Sequence, residues 1–127
     1  MRTLKMCLPG VLLVPLLAGC ATAFTNLTPQ IQERNAAGQY PVETAMDCSR
    51  QALRWDSIQP KIIVGNQAYP MSPTPLMTNR WEGFVPVPPG TTTVRYHYKF
   101  DFEYNAFGKP KPDSTVSPEY TLRIKGQ

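Results

Sequence analysis

The sequence has little of what most catalytic, metal-binding and nucleic-acid-binding sites require. It contains one histidine, His97, and three cysteines in 127 residues, so it can supply neither a histidine-rich metal site nor a framework of several disulfides. It has no glycine-rich phosphate loop and no calcium-binding loop. It also has no run of Lys or Arg that would form a nucleic-acid-binding patch. We therefore expect no metal, no cofactor, no nucleic-acid partner and no enzymatic activity.

A long hydrophobic run is also missing, although the N-terminus is apolar. Residues 7–17 form a mostly apolar stretch that is interrupted by prolines and a glycine, and a membrane-spanning helix needs about 20 apolar residues. Arg2 and Lys5 precede this stretch, and the small residues Ala18 and Gly19 follow it. A basic start, a short apolar region and a small-residue exit are typical of a secretory signal peptide. We expect residues 1–19 to be removed.

The end of this segment, Leu17-Ala18-Gly19-Cys20, resembles the lipobox of bacterial lipoproteins. The resemblance implies cleavage before Cys20, diacylation of its thiol and acylation of the new amino group. Two or three acyl chains give stable membrane attachment, at about 0.8 kcal/mol per buried CH₂. Because Ala21 and not Asp follows Cys20, the resemblance implies the outer membrane. The alternative is ordinary cleavage after residue 23, at an Ala-x-Ala site, which would discard Cys20.

The signal peptide's removal would change both the net charge and the number of cysteines of the chain. Removing Arg2 and Lys5 from the 13 basic side chains leaves 11 against 9 acidic ones, a formal balance of +2. Cleavage would remove Cys7 and acylation would occupy Cys20, which leaves Cys48 as the odd cysteine. We expect Cys48 to be a buried core thiol, with an intermolecular disulfide as the alternative. The hydrophobic core, and not a disulfide framework, should then stabilise the fold.

Most of the remaining chain has the two-residue periodicity of β-strands. The strongest example is residues 94–104, where Val94, Tyr96, Tyr98, Phe100, Phe102 and Tyr104 alternate with polar residues. A helix cannot place such a set on one side, so we expect a strand with this face buried. The predicted strands are 24–28, 40–48, 58–64, 68–71, 80–87, 94–104 and 119–125.

Other segments are predicted to connect these strands. Residues 20–39 are interpreted as a lipidated tether that includes the first strand. Residues 49–57 are ambiguous and could hold a helical turn, and Gly65-Asn66 suits a tight hairpin turn. The prolines that follow this turn place the second arm of the hairpin at a sheet edge or end it in a loop, and residues 105–118 are interpreted as a turn-rich connection. About seven short strands favour an all-β antiparallel sandwich over residues 40–127, with a start near residue 24 as the wider alternative.

The order of these strands resembles immunoglobulin-like domains of the fibronectin type III and early-set groups. The features that carry the resemblance are the Trp81 strand, the Pro88-Pro89-Gly90 turn, the aromatic strand and the closing strand. Pro89-Gly90 followed by the Tyr96–Phe100 region is also similar to glycogen- and starch-binding modules. Those modules continue into an Asp-Gly hairpin, whereas this chain continues Asp101-Phe102-Glu103-Tyr104. A carbohydrate-binding module is therefore the alternative function.

The groups that could support catalysis have simpler interpretations. His97 lies between Arg95 and Lys99 on the polar face of a predicted strand, with no nucleophile-elbow motif in the chain. Asp101 and Glu103 share that face, and we expect charge pairing across strands that involves the neighbouring Lys99 and Arg95. A small cell-wall hydrolase acting through His97 is the third hypothesis for the function, after a protein-binding module and a carbohydrate-binding module.

The aromatic stripe is interpreted as core, so a ligand or partner surface must use other aromatic residues. The candidates are Trp55, Tyr69, Trp81 and Phe107, of which Trp81 has the strongest core pattern. The preferred hypothesis is a lipid-anchored, non-enzymatic module of the bacterial envelope that binds a protein partner in adhesion or assembly.

Overall fold

The computed structural model describes residues 22–49 and 52–126. The predicted signal peptide and the lipidation site Cys20 lie outside these ranges. Within them the chain forms ten β-strands. No helix in these two ranges has the length and apolar character needed to cross a bilayer.

The strands range from two to fourteen residues in length. They are β1 (Thr22–Asn26), β2 (Ile31–Glu33), β3 (Gln39–Cys48), β4 (Leu53–Val64), β5 (Gln67–Pro70), β6 (Ser72–Pro73), β7 (Arg80–Pro86), β8 (Thr93–Ala106), β9 (Lys109–Val116) and β10 (Tyr120–Lys125).

Two sheets pack face to face and confirm the predicted all-β sandwich. The first has the order β1-β3-β7-β6, and the second has the order β2-β10-β8-β4-β5, with β9 also paired to β8. The pairing is antiparallel except between β2 and β10, which run parallel. The strand count is higher than the predicted seven because short edge strands and β9 complete the two sheets.

β8 is the central strand of the core, as its alternation predicts. Tyr96, Tyr98, Phe100 and Phe102 are buried, and the residues between them are more exposed. β3 shows the same alternation on the facing sheet. The buried apolar cluster comprises Tyr40, Val42, Met46, Leu53, Ile62, Met71, Trp81, Val85, Val87, Tyr96, Tyr98, Phe100, Phe102, Leu122 and Ile124. The aromatic stripe is therefore core, because the β1-β3-β7 sheet covers it.

A small polar network inside this core joins β1 to β8. The Tyr98 hydroxyl donates to Asn26 Oδ1 at 2.7 Å, and Asn26 Nδ2 donates to the Tyr96 hydroxyl at 2.9 Å. Thr28 Oγ1 lies 3.2 Å from the Tyr98 hydroxyl. Burial raises the pKa of Tyr98 well above its usual value of 10.0. These bonds satisfy polar atoms that would otherwise be costly to bury.

Two connections differ from the sequence-based prediction. Residues 53–57 belong to β4, so the helical turn predicted near Leu53 and Trp55 is wrong. The segment is extended because Leu53 and Arg54 pair with Tyr104 and Glu103 of β8, before a bulge that ends at Gln59. The turn-rich connection predicted for residues 105–118 is also wrong over most of its length, since Lys109–Val116 forms β9.

The prolines of β9 suit its position at a sheet edge. Ala106 and Lys109 face each other across the two-residue turn Phe107-Gly108, so the N–H of Lys109 points to β8 and alternate N–H positions point outwards. Pro110 and Pro112 occupy outward positions, where a missing donor costs nothing. The next outward N–H, that of Ser114, donates to Asp113 Oδ1 at 2.8 Å. The free edge of β9 therefore offers few donors to another strand.

Cys48 differs from the expected core thiol. Its side chain is half-buried at the end of β3, and its sulfur is disulfide-bonded. The predicted thiol is therefore wrong. The second sulfur lies outside the described residues.

Candidate binding surfaces

The four aromatic candidates fall into three separate places. Trp55 and Trp81 come together, with ring centroids 6.4 Å apart and planes inclined by 3°. Trp81 is only 6% exposed and contacts Phe100 edge-to-face at 5.0 Å, whereas Trp55 is 43% exposed. Trp81 is thus a core residue and Trp55 covers it from the bulged part of β4. Of this pair, only Trp55 offers substantial surface to a ligand.

Tyr69 lies at a cleft of about 670 Å³ between the β2–β3 loop and the end of β7. Five of its eleven lining residues are aromatic or proline, namely Tyr40, Tyr69, Pro86, Pro88 and Pro89, and the 34–38 loop supplies most of the others. Tyr69 also packs against the core cluster. Apolar and aromatic walls with few rotatable bonds are typical of binding sites, because little side-chain entropy is lost on association.

Hydrogen bonds hold the loop that forms one wall of this cleft. The backbone N–H of Asn35 donates to the Tyr40 hydroxyl at 3.0 Å, and that of Gly38 donates to Asn35 Oδ1 at 2.8 Å. Arg34 Nη2 donates to the Thr91 carbonyl at 2.8 Å. Gly38 has a φ of 69°, and a β-carbon there would lie 3.3 Å from the Val87 carbonyl. The cleft is therefore pre-formed by its own backbone contacts.

The cleft and the start of β1 lie at opposite ends of the sandwich. Thr22 pairs with Cys48 at one end of β3, and Gln39 at the other end pairs with Pro86. Ten strand residues separate these ends, a distance of about 30 Å. Tyr69 is thus remote from the point where the chain enters the fold.

Phe107 is at the tip of the β8–β9 hairpin and is fully exposed. It has a φ of 52°, and the following Gly108 has a φ of 79°. Two consecutive positive φ values define a type I′ turn, which joins hairpin strands with the correct twist. This residue shares no surface with Tyr69.

The polar face of β8 contains the expected charge pairs. Asp101 accepts a hydrogen bond from Lys61 Nζ at 3.0 Å and lies 3.4 Å from Lys99 Nζ. The hydrogen bond from Lys61 holds the pKa of Asp101 below its usual value. Glu103 lies 3.5 Å from Arg54. Lys99 and Arg95 were the predicted basic neighbours of this pair, but Arg95 instead pairs with Glu119 at 2.8 Å. Lys61 and Arg54 were missed because the register of β4 was unknown.

This face also contains a groove of about 730 Å³ next to the β4 bulge, with Asp56, Asp101, Glu103 and Asp113 on its walls. Its acidic residues do not form a metal site: within residues 22–49 and 52–126 no three His, Cys, Asp or Glu side chains are placed to hold an ion. Asp101 and Glu103 are engaged with basic side chains. His97 lies opposite Ile63 of β4.

Comparison of the chain with protein-family models, with curated proteins and with solved structures finds no significant match. A function for this protein therefore has to be inferred from its own residues and geometry.

Proposed function

We propose that this protein is a lipid-anchored module of the bacterial envelope that binds a protein partner through the cleft at Tyr69. The observation that carries the proposal is the position of this cleft, at the end of the sandwich away from residue 22. The anchor follows from the resemblance of residues 17–20 to a lipobox. Since cleavage would remove Cys7 and acylation would occupy Cys20, the anchor also requires that the Cys48 disulfide of the mature protein join two chains. An enzymatic role is not part of the proposal.

The short connection to Cys20 determines how the domain faces the membrane. Cys20 precedes Thr22 by two residues, which span at most about 7 Å. Acyl chains on Cys20 would thus bring the Thr22 end of the sandwich to the membrane. The cleft, about 30 Å away along β3, would then face the aqueous compartment, where a partner can reach it.

Binding by strand addition has weaker support than binding in the cleft. β9 has two outward prolines, β2 and β6 are only three and two residues long, and β5 ends in Pro70. β1 is an edge of five residues without proline, but it begins at the end that the anchor would bring to the membrane. Short strands and prolines are the features that protect sheet edges from pairing with other chains. A partner would therefore gain more from the pre-formed cleft.

Site-directed photo-crosslinking in cells tests the cleft. A photoreactive residue at Pro88, on the cleft wall, should give a discrete crosslinked product that Tyr69→Ala removes. The matched control is the same photoreactive residue at Phe84, which is exposed on β7 outside the cleft. Equal products at both positions, or a product unaffected by Tyr69→Ala in a folded variant, would contradict the cleft as the binding site.

Mass spectrometry of the mature protein tests the anchor. We expect the N-terminal peptide to begin at Cys20 and to bear fatty acids. An unmodified product that begins after residue 23 would rule the anchor out. A reducible peptide pair that joins Cys20 to Cys48 would also rule it out, because acylation uses the Cys20 sulfur. This measurement therefore also identifies the partner of the Cys48 disulfide.

A carbohydrate-binding role is the second candidate, and the exposed Trp55 favours it. Its indole stacks on Trp81, an arrangement that would hold the ring in a fixed orientation for stacking against a sugar. Glycan-array binding that is lost in a folded Trp55→Ala variant would support this role. A cell-wall hydrolase, the third hypothesis, would require an activity that His97→Ala abolishes.

A further inference from the structure

We infer that the tips of the β8–β9 hairpin and of the β6–β7 loop contact the membrane interface. The inference rests on the lipid anchor proposed above and names a second, non-covalent contact with the bilayer. The contact residues are Phe107 in the hairpin and Leu76 in the loop.

Phe107 and Leu76 share an unusual combination of properties. Each side chain is fully exposed, and each backbone is in the left-handed region, with φ of 52° and 66°. Such residues are uncommon because a β-carbon is crowded in this conformation. Each therefore combines two unfavourable features, an exposed apolar side chain and a strained backbone.

The turns themselves favour other residues at these positions. Phe107 is the first central residue of a type I′ turn, where Asn, Asp or Gly is preferred. The N–H of Met77 donates to the Thr74 carbonyl at 3.2 Å, so Leu76 is the second central residue of a turn with Pro75 before it. In the type II turn that this φ indicates, Gly or Asn is preferred there. The identity of both side chains is thus unexplained by the fold, which points to a role at the surface.

Both tips lie at the end of the sandwich where the chain enters. In the β6–β7 loop, Asn79 donates to Asp47 of β3 at 3.1 Å, one residue before Cys48, which pairs with Thr22. Asn26 bonds to Tyr96 of β8 and Phe24 contacts Phe100, so β1 approaches Thr22 in the same direction in which β8 approaches the hairpin tip. Two independent loops therefore place exposed apolar side chains on the side that the anchor would bring to the membrane.

The hairpin is long enough to reach the bilayer. Thr22 Oγ1 lies 2.7 Å from Thr115 Oγ1, and Thr115 pairs with Phe100 of β8. From Phe100 the strand continues for seven residues to Phe107, about 20 Å measured along it. The connection from Thr22 to Cys20 spans at most about 7 Å. The tip therefore extends further than the tether, so an anchored domain has the hairpin at or in the interface.

The charges next to Phe107 suit an anionic lipid surface. Lys109 and Lys111 follow the tip and are exposed. An aromatic residue with basic neighbours is a typical composition at the membrane–water boundary, where the ring enters the headgroup region and the ammonium groups remain beside the phosphates.

Tryptophan fluorescence in proteoliposomes tests this contact. The full lipidated protein is incorporated into phosphatidylethanolamine–phosphatidylglycerol vesicles whose acyl chains are brominated, with Phe107 replaced by Trp. The matched control is Phe84→Trp, an exposed phenylalanine on β7, near the opposite end of the sandwich. Signals are taken as differences from the parent protein, which contains Trp55 and Trp81. We expect the brominated lipid to quench most of the added fluorescence at position 107 and little at position 84.

The outcomes separate this inference from the proposed anchor. Acylated protein that floats with the vesicles and shows equally weak quenching at both positions would overturn the membrane contact alone, and the tip would then be free to bind a protein. Protein that has no acyl group and does not float would overturn the anchor and the contact together. Strong quenching at position 107, with an unchanged circular dichroism spectrum, would support both.

Discussion

The two halves of β8 have the same alternating sequence but different surroundings. In the first half, Tyr96, Tyr98 and Phe100 lie beneath the facing sheet and are at most 1% exposed. In the second half, Phe102 is still buried but Tyr104 is only half-buried, and the hairpin ends in the fully exposed Phe107. β9, which pairs with the second half, has almost no buried residue.

The difference lies in what covers each half. Phe24 of β1 and Trp81 of β7 contact Phe100 edge-to-face at 5.1 and 5.0 Å, so the first sheet covers β8 to this level. Beyond it, β8 continues with β4 and β9 as a narrower ribbon. The first half thus stabilises the fold, and the second half is available for contacts outside it.

The largest effect should come from comparing Phe100→Ala with Phe107→Ala. Loss of the buried ring should cost about 3–5 kcal/mol of unfolding free energy, because it removes apolar contacts and leaves a cavity. Loss of the exposed ring should change stability by no more than about 0.5 kcal/mol. Urea unfolding followed by tryptophan fluorescence measures both. Similar values for the two variants would refute the division of β8.

Gly83→Ala tests how closely β7 packs against β4 in the covered part of the sandwich. A β-carbon at Gly83 would lie 2.9 Å from Ile62 Cδ1 and 3.3 Å from the Pro70 carbonyl. Such overpacking typically costs about 1–3 kcal/mol. Adding Ile62→Val removes the clashing methyl group, so the two substitutions should be less than additive in urea unfolding. Strict additivity would show that the contact with Ile62 Cδ1 does not cause the loss of stability in Gly83→Ala.

Tyr98→Phe tests the polar network under the first half of β8. The substitution removes the 2.7 Å donor to Asn26 Oδ1, which then keeps only the longer bond from the Thr28 N–H at 3.4 Å, and it should cost about 1 kcal/mol. Tyr69→Phe, at the surface cleft, is the control and should have a smaller effect in the same unfolding assay. A neutral Tyr98→Phe would indicate that the network does not stabilise the fold.

Alkaline pH should destabilise the protein through the same residue. Burial raises the pKa of Tyr98 above the value of 10.0 for the free side chain, so the folded state retains a proton that the unfolded state loses. The stabilising contribution is therefore intact below about pH 10 and falls as the pH rises further, by up to about 1.4 kcal/mol per pH unit. Urea midpoints between pH 9 and pH 11 should show this slope, and Tyr98→Phe should reduce it.

The smallest effect is expected on the polar face at the start of the ribbon. Asp101→Asn removes the ion pairs with Lys61 and Lys99, but these groups are partly exposed and exposed pairs contribute roughly 0–1 kcal/mol. The lowered pKa of Asp101 means that this contribution is present near neutral pH and is lost as the pH falls below about 4. Unfolding at low and high salt should show that the loss is largest at low salt.

Much of the fold could be predicted where one face of a strand is buried. The alternation identified the strands β3 and β8, and in β8 also the inward residues, because a strand that is buried on one side requires this pattern. The strand β9 was missed because its two prolines indicate a loop when the pairing partner is unknown. Residues 53–57 were missed for a related reason: their conformation depends on pairing with β8 across a bulge.

The candidate surfaces were harder to predict than the fold. The sequence identified Tyr69 and Phe107 as aromatic residues outside the stripe, and the structure places them at opposite ends of the sandwich. Nothing local indicates that Arg34, Asn35 and Pro88 would form a cleft with Tyr69, since these residues meet only through the packing of two sheets. For the two tips the sequence offers only Pro75 and Gly108 as turn-forming residues, and the positive φ values of Leu76 and Phe107 are visible only in the structure.

The sequence by itself determined that the chain after the apolar N-terminal segment is a β-protein and which residues of the aromatic strand it buries. It could do so because side-chain alternation is a local property of an extended backbone. Only the tertiary structure decided where the covering sheet ends, which strand edges remain open and which loops share an end with residue 22. These depend on register and on contacts between distant segments, which neighbouring residues in the chain do not specify.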